Sequence, residues 1–112
     1  MTEPSKATRD IVTQTRDWAE ALKFYGQTLG LPVAHKGPDR VGFDTGAFCL
    51  YVEKGDRKGP VLEFLVPDVQ VAKLRLVGDG CVVVDEDPTV PRCYLRDPFG
   101  LVFNLGLVPA AV

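Results

Sequence analysis

The residue whose placement most demands a chemical partner is Glu63, the single charged position in the run Val61-Leu62-Glu63-Phe64-Leu65-Val66. Side chains alternate along a strand, so Val61, Glu63 and Leu65 share one face and Leu62, Phe64 and Val66 the other. The second set suits packing against a helix, which sends Glu63 to the opposite face. A carboxylate taken out of water without a partner is costly, so Glu63 calls for a cation, a donor or a bound ligand. An arginine such as Arg96, or water, would satisfy it without function; held in a cavity, it is a candidate general base.

Other site chemistries fail on residue type. The only histidine, His35, has no nucleophile or second ligand near it in the pattern and reads as a surface or half-buried structural residue. Cys49, Cys81 and Cys93 are odd in number and lack a Cys-x-x-Cys spacing, which describes reduced, mostly buried thiols. No glycine-rich phosphate loop leads from a strand into a helix. A net charge of −2 without a Lys/Arg cluster argues against nucleic acid and anionic membrane as partners. No apolar stretch reaches the roughly 18 to 20 residues of a membrane-spanning helix, and residues 1–8 carry no apolar signal core. A cytoplasmic location is the expectation.

The elements that must position Glu63 come in two copies. Asp17-Trp18-Ala19-Glu20-Ala21-Leu22, followed by Gly30, is answered in the second half by Asp68-Val69-Gln70-Val71-Ala72-Lys73, followed by Gly78 and Gly80. Each helical stretch has one apolar run before it and several after it, the pattern of a repeated unit of strand, helix and three strands. The first unit covers about 8–54 and the second about 60–108, with the polar loop Lys54 to Pro60 as boundary, all within one domain, 1–112. Neither unit alone is large enough to close a core.

Within the first unit, Asp10 to Thr15 reads as a strand. Asp17 with Glu20 has capping-box spacing, and Trp18, Leu22, Tyr25 and Leu29 share one helical face that ends at Gly30. Strands are expected near 32–36, 40–44 and 47–53. In the second unit they are expected at 61–66, 81–85, 92–96 and 101–107, around a helix capped by Asp68. Asp97-Pro98-Phe99-Gly100 has the chemistry of a tight turn.

Three motifs on this frame carry a resemblance: Phe24-Tyr25 four residues before Leu29-Gly30-Leu31, Val66-Pro67-Asp68-Val69, and Arg96-Asp97-Pro98-Phe99-Gly100-Leu101-Val102-Phe103-Asn104-Leu105. Together they resemble the glyoxalase, bleomycin-resistance and extradiol-dioxygenase superfamily, the vicinal oxygen chelate proteins, over about residues 8–107. The resemblance implies an α+β fold of two tandem βαβββ modules with two main helices. Their eight strands would form a cupped, partly open mixed sheet, in a chain that assembles as a homodimer.

It also implies where a metal would be bound: Asp10, Asn104 and, with less certain register, positions 50 and 61. Here these last are Leu50 and Val61, which offer no donor, and Asn104 offers a neutral carbonyl where a carboxylate is usual. One anionic ligand cannot hold a catalytic ion at useful affinity, so neither metal nor any other cofactor is expected. The spacing of Tyr94, Pro98, Gly100 and Asn104 is similar to the extradiol pattern in which a tyrosine sits over the site. In that register Asp10, Tyr94 and Asn104 face the cavity beside Phe48, with Leu50, Val61 and Glu63 completing the lining. The implied function is metal-free capture of a small hydrophobic or aromatic molecule, as in the antibiotic-resistance members. The alternative is an enzyme, a lyase, isomerase or dioxygenase-like member using Glu63 or Asp10 as base, or one with a metal site in a different register.

Overall fold

A computed structural model describes residues 6–87, 89 and 92–108. The first five residues, part of the segment read as lacking a signal core, lie outside the described set, as do residues 109–112 of the expected domain. The described residues form eight strands, β1 (Lys6–Thr15), β2 (Val33–Lys36), β3 (Arg40–Asp44), β4 (Cys49–Lys54), β5 (Lys58–Val66), β6 (Val82–Asp87), β7 (Arg92–Arg96) and β8 (Val102–Leu107). Helix α1 (Trp18–Lys23) follows β1 and helix α2 (Val69–Gly78) follows β5. Among the described residues no helix is long and apolar enough to cross a membrane.

Among the described residues two compact units result: 9–61, which holds the first module, and 62–108 with 6–8, which holds most of the second. In the first, β2 pairs antiparallel with β3, β3 antiparallel with β4, and β4 parallel with β1. In the second, β6 pairs antiparallel with β7, β7 antiparallel with β8, and β8 parallel with β5. The pairing of the first strand with the last, in parallel, needs the helical crossover that each module contains. This is the two-module α+β class the repeat predicts.

Each module has its own core on the helix-facing side, although the size of one unit alone predicts none. In the first, Val41, Phe43 and Val52 are buried, with Trp18, Ala21, Leu22, Tyr25, Leu31 and Leu50 packed on them. In the second, Val66, Ala72, Leu95, Phe103 and Leu105 are joined by the Cys81 and Cys93 thiols. Leu62, Phe64 and Val66 belong to this second core, so the face assignment read from the alternation of β5 is correct.

Two local expectations need correction. Asp17 does not cap α1 with its side chain. Its carboxylate accepts from Arg57 at 3.3 Å, and its own N–H is taken by the Thr15 hydroxyl at 3.1 Å. Asp68 does cap α2, accepting from the Val71 N–H at 3.1 Å. Nor does the first helix run on as α to Gly30. After Lys23 it widens into a π-helical turn, Phe24–Thr28, in which Leu29 N–H reaches back to the Phe24 carbonyl. The wider turn breaks the 3.6-residue spacing after Tyr25, so Leu29 leaves the apolar face and stands 55% exposed.

The Asp97-Pro98-Phe99-Gly100 turn is as expected. The Asp97 carboxylate accepts from both Phe99 and Leu101 N–H groups at 2.9 Å, and Gly100 supplies a φ of +103°. This turn fixes the phase at which β8 starts, and with it the facing of Asn104.

Candidate functional site

In the second module the face turned away from α2 is polar where the other is apolar. The β5–β8 register sets Glu63 beside Asn104, and the β7–β8 register sets Asn104 beside Tyr94. Asn104 donates from Nδ2 to Glu63 Oε2 at 3.0 Å, while its Oδ1 accepts the Cys93 backbone N–H at 3.0 Å. Both ends of the amide are therefore occupied, which fixes its orientation. Glu63 finds its partner in Asn104, not in Arg96, which is exposed. Gly106 makes room for this carboxylate: a Cβ there would lie 3.1 Å from Glu63 Cδ and Oε2.

Tyr94 is 5% exposed and lies under the Arg92 guanidinium, 5.7 Å from its ring centroid. Arg92 also meets Asp85 at 3.4 Å. Asp85 reaches this face through a bulge between Val83 and Asp85, which shifts the register of β6 on β7 and pairs Asp85 with Tyr94. Without the extra residue the alternation would turn Asp85 toward the core.

The first module has an analogous polar face. The β1–β4 register aligns Asp10 with Cys49, Val12 with Tyr51 and Gln14 with Glu53. Gln14 donates to Glu53 Oε1 at 3.0 Å, and Arg40 Nε approaches Glu53 Oε2 at 3.4 Å. The Tyr51 ring lies under the Arg40 guanidinium, at 3.8 Å, and is stacked with His35 at 5.9 Å. Burial and the neighbouring Cys49 thiol push the Tyr51 phenol above its ordinary range. None of Gln14, Arg40, Tyr51 or Glu53 was expected in a site. The signal that locates them is the pairing of β1 with β4, which a lone sequence does not display.

The other expected residues are placed as follows. Asp10 is half-buried on the polar face of β1, opposite Cys49. Phe48 is held in the β3–β4 turn, where its N–H and carbonyl both bond the Thr45 hydroxyl at 3.0 and 2.7 Å. Leu50 packs on the first core, toward α1, and Val61 is 1% exposed. Glu63, Tyr94 and Asn104 are brought together; Asp10, Phe48 and Leu50 belong to the other module.

A metal of the kind the superfamily resemblance implies does not fit these donors. Val61 carries no ligand atom, Leu50 packs toward α1 and away from the polar face, and Asn104 spends its carbonyl on a backbone N–H. Among the described residues no three His, Cys, Asp or Glu side chains converge.

The mixed sheets, the repeated crossover and the motif-bearing turn define a glyoxalase-type α+β protein. The family model described as "Glyoxalase-like domain" matches residues 10–106, and the chain belongs to that family. It is similar in structure to a hypothetical protein from Bacillus halodurans C-125 (TM-score 0.65, 12% identity, 98% of this chain and 99% of that one). It is similar also to a glyoxalase/bleomycin resistance protein/dioxygenase superfamily member from Vibrio splendidus 12B01 (0.62, 15%, 94% and 100%). A Mn(II)-bound glyoxalase from Novosphingobium aromaticivorans is a third such structure (0.57, 17%), matched over 97% of this chain but 44% of that one. No curated protein matches the chain.

Proposed function

We propose that this protein binds a small hydrophobic or aromatic molecule without the help of a metal, and that Glu63 and Tyr94 supply the polar contacts, with Asn104 holding Glu63 in place. The observation that carries this reading is Asn104. At the position where the superfamily resemblance calls for a ligating carboxylate stands an amide whose two ends are spent on Glu63 and the Cys93 N–H. A carboxylate held by an amide beside a buried tyrosine recognises organic donors and flat rings. Asp10 and Phe48 are further candidate contacts. The reading includes a cytoplasmic protein and a homodimer, the latter supported by the edge strands β2 and β6, where Val33 and Val82 are exposed.

Elemental analysis after dialysis, paired with native mass spectrometry of protein taken directly from cells, tests it. The expected outcome is less than about a tenth of a metal ion per chain, with a retained small molecule or a ready mass shift on adding planar aromatic compounds. Close to one transition metal per chain would overturn the reading. The fixed orientation of Glu63 also supports the competing use of that carboxylate as a base in a lyase or isomerase. A Glu63→Gln variant that still binds a compound but no longer turns it over would establish that alternative.

A further inference from the structure

The first module holds a second concavity, which the reading above does not use. It lies at the β2–β3 hairpin, has a volume of about 280 Å³, and is lined by His35, Lys36, Gly37, Arg40 and Tyr51. A bulge creates it: β2 pairs Val33 with Phe43 but His35 with Gly42, so one extra residue turns His35 onto the face that carries Tyr51. Gly42 beneath is what lets the tyrosine ring lie flat, because a Cβ there would sit 2.8 Å from Tyr51 Cε1.

The lining of this pocket carries positive charge, offset in part by the Glu53 carboxylate on Arg40. Arg40 is the cation on this face, His35 adds ring N–H donors, and no carboxylate is among the lining residues, while Lys36, paired in register with Val41, lines the pocket from the strand's other side. Glu53 meets Arg40 only at 3.4 Å and shares its other oxygen with Gln14. Arg40 is also held in place, stacked 3.8 Å over Tyr51 and anchored through Nε, so its guanidinium plane is set before any ligand arrives. A planar fork fixed in advance loses little freedom on binding, and its geometry matches two oxygens of one anion.

We propose that this pocket binds a small oxyanion, a carboxylate or a phosphate group, gripped by the Arg40 guanidinium with His35 at its edge. The proposal stands on the first module alone and does not depend on the role of Glu63.

Amide-resolved NMR titration at low ionic strength tests it, with inorganic phosphate in one arm, benzoate in the second and chloride at matched ionic strength as control. Saturable shifts centred on His35, Lys36, Gly37 and Arg40 are expected with at least one of the two anions. Saturation by phosphate alone would mark the ligand as a phosphate, and by benzoate alone as a carboxylate. His35→Phe, which keeps the ring and removes its N–H donors, should weaken the binding several-fold. Arg40→Lys, which keeps the charge and loses the fork, should weaken it as well. Absence of saturation with both anions, shifts that chloride reproduces, or a wild-type affinity in either variant would overturn the proposal.

Discussion

Gln14 donates its side-chain amide to Glu53 at 3.0 Å between the paired strands β1 and β4, and the second module carries the same kind of pair between β5 and β8 with the roles exchanged. There the carboxylate, Glu63, is on the first strand and the amide, Asn104, on the last. Each module thus closes its parallel strand pair with one amide and one carboxylate, a neutral donor fixing an anion on the face that carries no helix.

Asn104 holds two partners, so its removal leaves both a carboxylate and a backbone N–H unsatisfied. Asn104→Leu is expected to destabilise the protein by about 2 to 4 kcal/mol, measured by urea unfolding, since each stranded group costs about 1 to 3 kcal/mol. A loss below about 0.5 kcal/mol would mean that neither bond contributes.

Gln14 is 9% exposed, and its Oε1 is buried with no hydrogen-bond partner. Replacing it by methionine removes that orphaned acceptor along with the bond to Glu53, and the two effects oppose each other. Gln14→Met is therefore expected to change stability by less than about 1 kcal/mol, whereas Gln14→Ala, which also opens a cavity, costs about 1 to 2 kcal/mol more. Equal values for the two variants in chemical denaturation would count against the packing part of the account.

Gly42 faces Tyr51 at 2.8 Å and the Cys49 sulfur at 3.0 Å, measured to an added Cβ. Gly42→Ala should cost about 1 to 3 kcal/mol through overpacking and displace the tyrosine ring. The near-ultraviolet circular dichroism of the tyrosines reads the displacement. An unchanged spectrum with unchanged stability would contradict the close approach.

Burial pushes the Cys81 and Cys93 thiols above their ordinary range, and Tyr51 shifts the same way. For such groups the unfolded chain releases its protons first as pH rises. The contribution is complete below the unfolded thiol pKa, about 8.5, and is lost as pH climbs through the raised folded values. Stability should be flat in this term up to about pH 8 and fall above it, and Cys93→Ala should show a shallower alkaline decline than the wild type. Labelling of Cys81 and Cys93 by a thiol reagent at neutral pH should be slow and limited by opening of the fold.

The duplication of the module was legible as one pattern repeated along the chain, and the cap at Asp68, the turn at Asp97 to Gly100 and the burial of one face of β5 were legible because each depends on neighbours a few residues away. Glu63 stood out for the same reason: strand alternation alone separates it from Leu62 and Phe64. Its partner did not, because the bond to Asn104 is made by strand pairing between distant segments. Two features lay beyond any periodic reading. A π-helical turn took Leu29 out of its face, and bulges in β2 and β6 turned His35 and Asp85 toward Tyr51 and Tyr94. A single inserted residue reverses the facing of everything after it, and whether it is absorbed as a bulge is decided by packing and hydrogen bonding across the sheet, which only the tertiary structure sets.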